Sequence, residues 1–84
     1  MRFVYVYFMK DEPDRIRATV ARHVAHWHDQ RLPGYLGGPF EDRSGGLITF
    51  EVEDHERARH AVDSDPFMQE DLLEAWWLKQ WTPQ

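Results

Sequence analysis

Eighty-four residues leave room for one domain, residues 1–84, because a chain this short buries too little surface to divide further. The absence of cysteine excludes a disulfide framework, a thiolate metal site and a cysteine nucleophile, and the formal net charge of -5 argues against a nucleic-acid-binding face. Four tryptophans, five phenylalanines and three tyrosines are more aromatic surface than so small a monomer hides, so part of the packing is expected to cross a subunit interface.

Residues 2–9 are aromatic and β-branched and read as a first strand, with Val4, Val6 and Phe8 on one face and Phe3, Tyr5, Tyr7 and Met9 on the other. The run is too short to span a membrane and lacks the small-residue cleavage site of a secretory signal, so a cytoplasmic protein with no membrane contact is expected. Lys10-Asp11-Glu12-Pro13 breaks the strand, and Pro13 suits the first turn of a helix reaching to about Gln30. Its apolar stripe of Ile16, Val20, Val24 and Trp27 is expected to lie on the sheet. Pro33-Gly34 ends it. A short strand, Tyr35 to Phe40, follows, and a hairpin connection from Glu41 to Gly46 leads into an alternating strand from Leu47 to Glu53.

Asp54 is placed to cap a second helix over 55–63 that turns Ala58, Ala61 and Val62 inward. Asp65-Pro66 reads as the cap and first position of a further helical turn, through Met68 to Leu72. The last strand, about Ala75 to Thr82, carries Trp76 and Leu78 on one side and Trp77 and Trp81 on the other. The order β-α-β-β-α-β is that of an α+β ferredoxin-like sandwich, two helices covering one face of a four-stranded antiparallel sheet. Aromatic residues occupy both faces of the outer strands, so a homodimer is expected in which a second sheet closes over the open face and the two sheets enclose a pocket.

His23 falls inside the apolar stripe, three residues from Val20 and four from Trp27, and so faces inward. It reads either as a buried histidine bonded to backbone or as a general acid or base. Asp65 could fix its tautomer, or simply cap a helix. A metal held by His23, His26 and His28 does not fit, since His28 lies about 140° around the helix from His23 and no carboxylate stands three or four residues away. The glycines of Gly37-Gly38-Pro39 and Ser44-Gly45-Gly46 match no phosphate-loop spacing and read as turn and close-packing residues.

The chain resembles the YciI-like, or YCII-related, domains. The resemblance is carried by the aromatic first strand, His23-Val24-Ala25-His26 on the first helix, Gly38-Pro39, Asp65-Pro66-Phe67, and a final strand ending in Trp81-Thr82-Pro83. It spans nearly the whole chain, although Arg22 stands where relatives usually carry a proline and the first helix and the loop to Gly38 are shorter than in several of them. It implies a ferredoxin-like fold paired as a dimeric α/β barrel, with His23 and Asp65 as an acid-base dyad. The resemblance further implies a cofactor-independent enzyme of lyase, isomerase or dehydrochlorinase type, acting on a small cyclic or aromatic compound without metal or organic cofactor. Tyr5, Tyr7, His26, Gly38 and Trp76 are the candidate substrate-binding residues. A non-catalytic dimeric module that binds a small molecule or a partner protein is the alternative.

Overall fold

The computed structural model describes residues 1–84 as a four-stranded antiparallel sheet with three helices. The elements are β1 (Arg2–Met9), α1 (Pro13–Asp29), β2 (Leu36–Pro39), β3 (Gly45–Glu51), α2 (His55–Asp63), α3 (Pro66–Gln69) and β4 (Leu73–Gln80). In the sheet the strands stand in the order β2-β3-β1-β4. Each crossover therefore skips one strand, which is the ferredoxin-like arrangement. No helix is long and apolar enough to cross a membrane.

Period-two alternation decides what β1 shows to each side. Phe3, Tyr5 and Tyr7 are buried under the helices beside Phe50 and Ile48 of β3. Val4, Val6 and Phe8 turn to the uncovered face, where Leu47 and Trp77 are their cross-strand neighbours. Phe8 and Trp77 meet edge to face there, 6.0 Å apart, and Trp77 stays half exposed. The helix-covered core is completed by Trp27 of α1, by Ala58, Ala61 and Val62 of α2, and by Phe67 and Leu72 around α3.

The helix ends follow their local chemistry. Pro13 starts α1 where a missing N–H costs nothing, and Asp54 caps α2 by accepting from the Arg57 N–H at 2.8 Å. The strand limits differ slightly from the sequence reading. β2 is shorter by a residue at each end, while β3 and β4 each run about two residues earlier than expected. Met9 N–H bonds the Ser44 carbonyl and Phe40 N–H the Gly45 carbonyl, so pairing begins in what reads as a hairpin connection.

One expectation fails on α1. Its buried residues are Thr19, His23 and Trp27, whereas Val20 and Val24 remain 41% and 42% exposed. The helix is turned by its polar contacts: His23 and Trp27 are both drawn to a buried carboxylate, and Thr19 returns its hydroxyl to the Arg15 carbonyl. The sheet beneath the two valines also presents Gly37, Gly45 and Gly46, which offer no side chains to pack against.

Gly45 sits where β3 meets β1, and a Cβ there would overlap the Tyr7 carbonyl oxygen and crowd the Phe8 Cα. Backbone cannot yield as a side chain can, so Gly45→Ala is expected to destabilise by about 1–3 kcal/mol. Urea unfolding monitored by circular dichroism checks this, and an unchanged midpoint would contradict the packing described.

Candidate functional site

The site grows from one side chain. Asp65 lies just before α3 in an extended backbone conformation, Pro66 fills the first helical position, and the Asp65 carboxylate accepts from the Phe67 N–H at 2.9 Å. This is ordinary N-capping. The same carboxylate, fully buried, also accepts from His23 Nδ1 at 2.8 and 3.0 Å and from the Trp27 indole N–H at 3.0 Å. His23 and Trp27 are four residues apart on α1 and thus share a face, so one carboxylate ties two points of α1 to the start of α3. Capping and pairing with histidine are simultaneous.

An aspartate carboxylate that accepts from Nδ1–H fixes the neutral imidazole as the Nδ1-protonated tautomer. Nε2 is then left as an acceptor. It stands 3.4 Å from the Tyr7 hydroxyl, and the Phe67 ring stacks on the imidazole at 4.0 Å with 13° between planes. Burial, followed by the nearby negative charge of Asp65, pushes the Tyr7 phenol well above the ordinary tyrosine range. Tyr7 is therefore a neutral O–H beside Nε2.

His23 and Tyr7, whose hydroxyl stands by Nε2, both line a cavity of about 280 Å³ held between α1 and the helix-covered face of the sheet. Its walls are Ile16, Val20 and Val24 from α1, Tyr7, Met9 and Ile48 from the sheet, Phe67 from α3, and the Gly37-Gly38-Pro39 strand, with Tyr35, His28 and Arg43 completing it. A Cβ on Gly46 would collide with the Tyr7 hydroxyl, so the missing side chain there is what lets Tyr7 reach His23. The cavity forms within a single chain, under α1 and on the side of the sheet away from its open face. A wider groove of about 850 Å³ beside α2 is lined mainly by charged residues, of which Arg59 and Asp63 pair with each other, and it holds no dyad.

Of the residues singled out from sequence, His23, Tyr7 and Gly38 line the cavity, and Asp65 stands directly behind His23. Tyr5 is fully buried outside the cavity wall, with its hydroxyl unpartnered. His26 points to α2, its Nε2 meeting the Ala61 carbonyl at 2.8 Å, and Trp76 packs under the Arg59 guanidinium at 5.0 Å. Of the three α1 histidines only His26 leaves the cavity, since His28 lies edge-on to Tyr35 on the same cavity wall as His23. Sequence reasoning did not single out the Trp27 N–H, Tyr35 or Arg43. The four-residue spacing from His23 could have revealed Trp27; nothing in the pattern announces the other two.

The sequence profile of the YCII-related domain matches residues 1–82. No curated protein matches the sequence. Among solved structures, the chain is similar to 5-chloro-2-hydroxyhydroquinone dehydrochlorinase (TftG) from Burkholderia phenoliruptrix AC1100, in complex with 2,5-dihydroxybenzoquinone. That match has a TM-score of 0.83 at 20% identity, over 98% of this chain and 94% of that one. It is also similar to a variant of SnoaB, a cofactor-independent oxygenase from Streptomyces nogalater, with a TM-score of 0.50 at 18% identity, over 99% of this chain and 93% of that one. At such identities the likeness speaks for the fold.

Burial is the main cause that raises all three tyrosines, Tyr5, Tyr7 and Tyr35, above their ordinary value, with the charge of Asp65 the next contribution in each. Unfolded tyrosine loses its proton near pH 10 while the folded chain holds on to it, so stability is fully present below about pH 10 and falls above it. Tyrosinate absorbance is expected to rise together with loss of helical circular dichroism in one alkaline step. Ionisation near pH 10 in a chain that stays folded would contradict the burial of these phenols.

Proposed function

The chain belongs to the YCII-related domain family, and from that footing we propose that it is a cofactor-independent enzyme of lyase, isomerase or dehydrochlorinase type acting on a small cyclic or aromatic compound. The observation that carries this reading is the His23 imidazole, clamped at Nδ1 by the fully buried Asp65, with Nε2 beside the Tyr7 hydroxyl where both residues line a ring-sized cavity.

In the proposed reaction Nε2 takes a proton from an acidic O–H or C–H of the bound ring, and Asp65 stabilises the imidazolium that forms. The Tyr7 O–H beside Nε2 is then free to donate to the enolate or phenolate oxygen. Returning the proton to another ring atom completes an isomerisation. Where the electron pair left by the proton forms a new ring or carbonyl double bond and the carbon–halogen pair departs with the halide anion, the step is an elimination, with net loss of one proton and one halide. The similarity to a dehydrochlorinase makes 5-chloro-2-hydroxyhydroquinone the first compound to try, with 2,5-dihydroxybenzoquinone as a ligand.

Chloride release from that compound, and turnover of a panel of hydroxylated rings and lactones, is the test. His23→Ala is expected to lower the rate about 10²- to 10⁴-fold with the fold retained. Asp65→Asn keeps an oxygen for the Phe67 N–H but sets an amide N–H₂ among the His23 and Trp27 donors. It is expected to cost activity on a similar scale and about 1–3 kcal/mol of stability, as one buried donor loses its acceptor. Rates unchanged by either substitution would sink the acid-base assignment.

The enzyme is further proposed to be a homodimer, supported by the uncovered apolar sheet face of Val4, Val6, Phe8, Leu47 and Trp77. Light scattering is expected to give about twice the chain mass, and Trp77→Glu to shift it toward one chain. A monomer at micromolar concentration would contradict this.

A further inference from the structure

The electrostatics of the cavity run against those of the chain. The protein carries 15 acidic and 10 basic side chains, apart from histidine, yet no aspartate or glutamate lines the cavity. What lines it instead are His23, His28 and Arg43. Seven of the ten lysines and arginines sit in ion pairs with carboxylates. Arg43 is one of three that do not, with Arg31 and Lys79, and it alone of the three lines the cavity.

Arg43 stands in the turn between β2 and β3 at φ 65°, held by its backbone N–H to the Phe40 carbonyl at 3.0 Å. Its guanidinium makes no hydrogen bond within the chain, although acidic residues abound and Glu41 and Asp42 are its neighbours in sequence. Asp42 is instead occupied by Ser44, accepting from its N–H at 2.9 Å and its hydroxyl at 2.6 Å. Arg43 is exposed at the rim of the cavity, and a guanidinium without a partner there is available to an oxyanion, because its planar fork can donate two parallel bonds. The cavity volume, about 280 Å³, is at the small end for ligand sites and accommodates a single substituted ring.

We propose that the cavity selects rings bearing an anionic oxygen, a carboxylate or an ionised hydroxyl, and that Arg43 is the residue that recognises it. The proposal rests on the reading of this cavity as the substrate site and narrows that site's substrate class. His28 shares the wall and adds a second donor, while the reacting part of the ring lies toward His23 Nε2. The anion is matched to the one cation of the cavity that no carboxylate of the chain neutralises.

The test is a calorimetric titration with two probes of the same shape, 2,5-dihydroxybenzoate and its neutral amide, 2,5-dihydroxybenzamide. The carboxylate is expected to bind about two- to fivefold more tightly, as a pair with an exposed guanidinium is partly screened by water. Arg43→Gln should erase the preference, Arg43→Lys should restore part of it, and Arg31→Gln should leave it intact. If Arg43→Gln does not fold, the intact chain is titrated against rising salt, where a preference that shrinks supports the pairing and one that does not overturns it. Equal affinity for the two probes, binding of neither, or a preference that survives Arg43→Gln also overturns the proposal. Anion pairing needs no proton transfer, so His23→Ala is expected to keep the preference. A preference retained while the unsubstituted protein turns over no ring compound would retire the acid-base reading and leave this one standing.

Discussion

Three N–H donors converge on one buried carboxylate, and the rest of the molecule is arranged around that point. Asp65 accepts from the Phe67 backbone, from His23 and from Trp27, so it starts α3, holds α1 against it and orients the imidazole together. A buried carboxylate is costly unless its oxygens are satisfied, and breaking one side of such a cluster leaves an uncompensated group. The polar cluster thereby selects a single rotation of α1. Hydrophobicity alone would have selected another, with Val20 and Val24 inward.

That rotation has a second consequence. With the valines over a sheet edge built from glycine and proline, no side chain fills the space between α1 and β2, and both valines stay accessible on the cavity wall. The cavity is the volume those absent side chains leave, and the imidazole that Asp65 orients is part of its wall. Phe67 closes one side by stacking on the ring, and because it directly follows the cap and its proline, its position is set by the same carboxylate. Fold and site thus share one set of hydrogen bonds.

Much of this was legible in the sequence where a residue's neighbours along the chain decide its environment. Strict alternation in residues 2–9 gave β1 and its two faces, and Asp54 and Asp65-Pro66 gave the two caps, because these signals are local. The ferredoxin-like order followed from the sequence of elements. His23 and Trp27 face inward as read, but the centre of the buried face of α1 was misread because hydropathy ranks valine as inward and threonine as outward, whereas here a distant carboxylate decides. His26 and Trp76, candidates for the site from sequence, contact α2 instead, a choice made by packing between elements. The cavity beneath α1 was not legible in the sequence because a void is a property of what is missing, and glycines report it only once the helix above them is known.

The central claim is that Asp65 holds His23 as the Nδ1-protonated tautomer, with Nε2 open to the cavity. Long-range proton-nitrogen correlation spectra of the ¹⁵N-labelled protein, at a pH where the imidazole is neutral, read this directly. The account predicts a pyrrole-like, protonated Nδ1 and a pyridine-like, unprotonated Nε2 for His23, with the pattern disturbed in Asp65→Asn. A neutral His23 protonated at Nε2 in the intact chain would contradict it, since the nitrogen facing the cavity could then take no proton from a ligand.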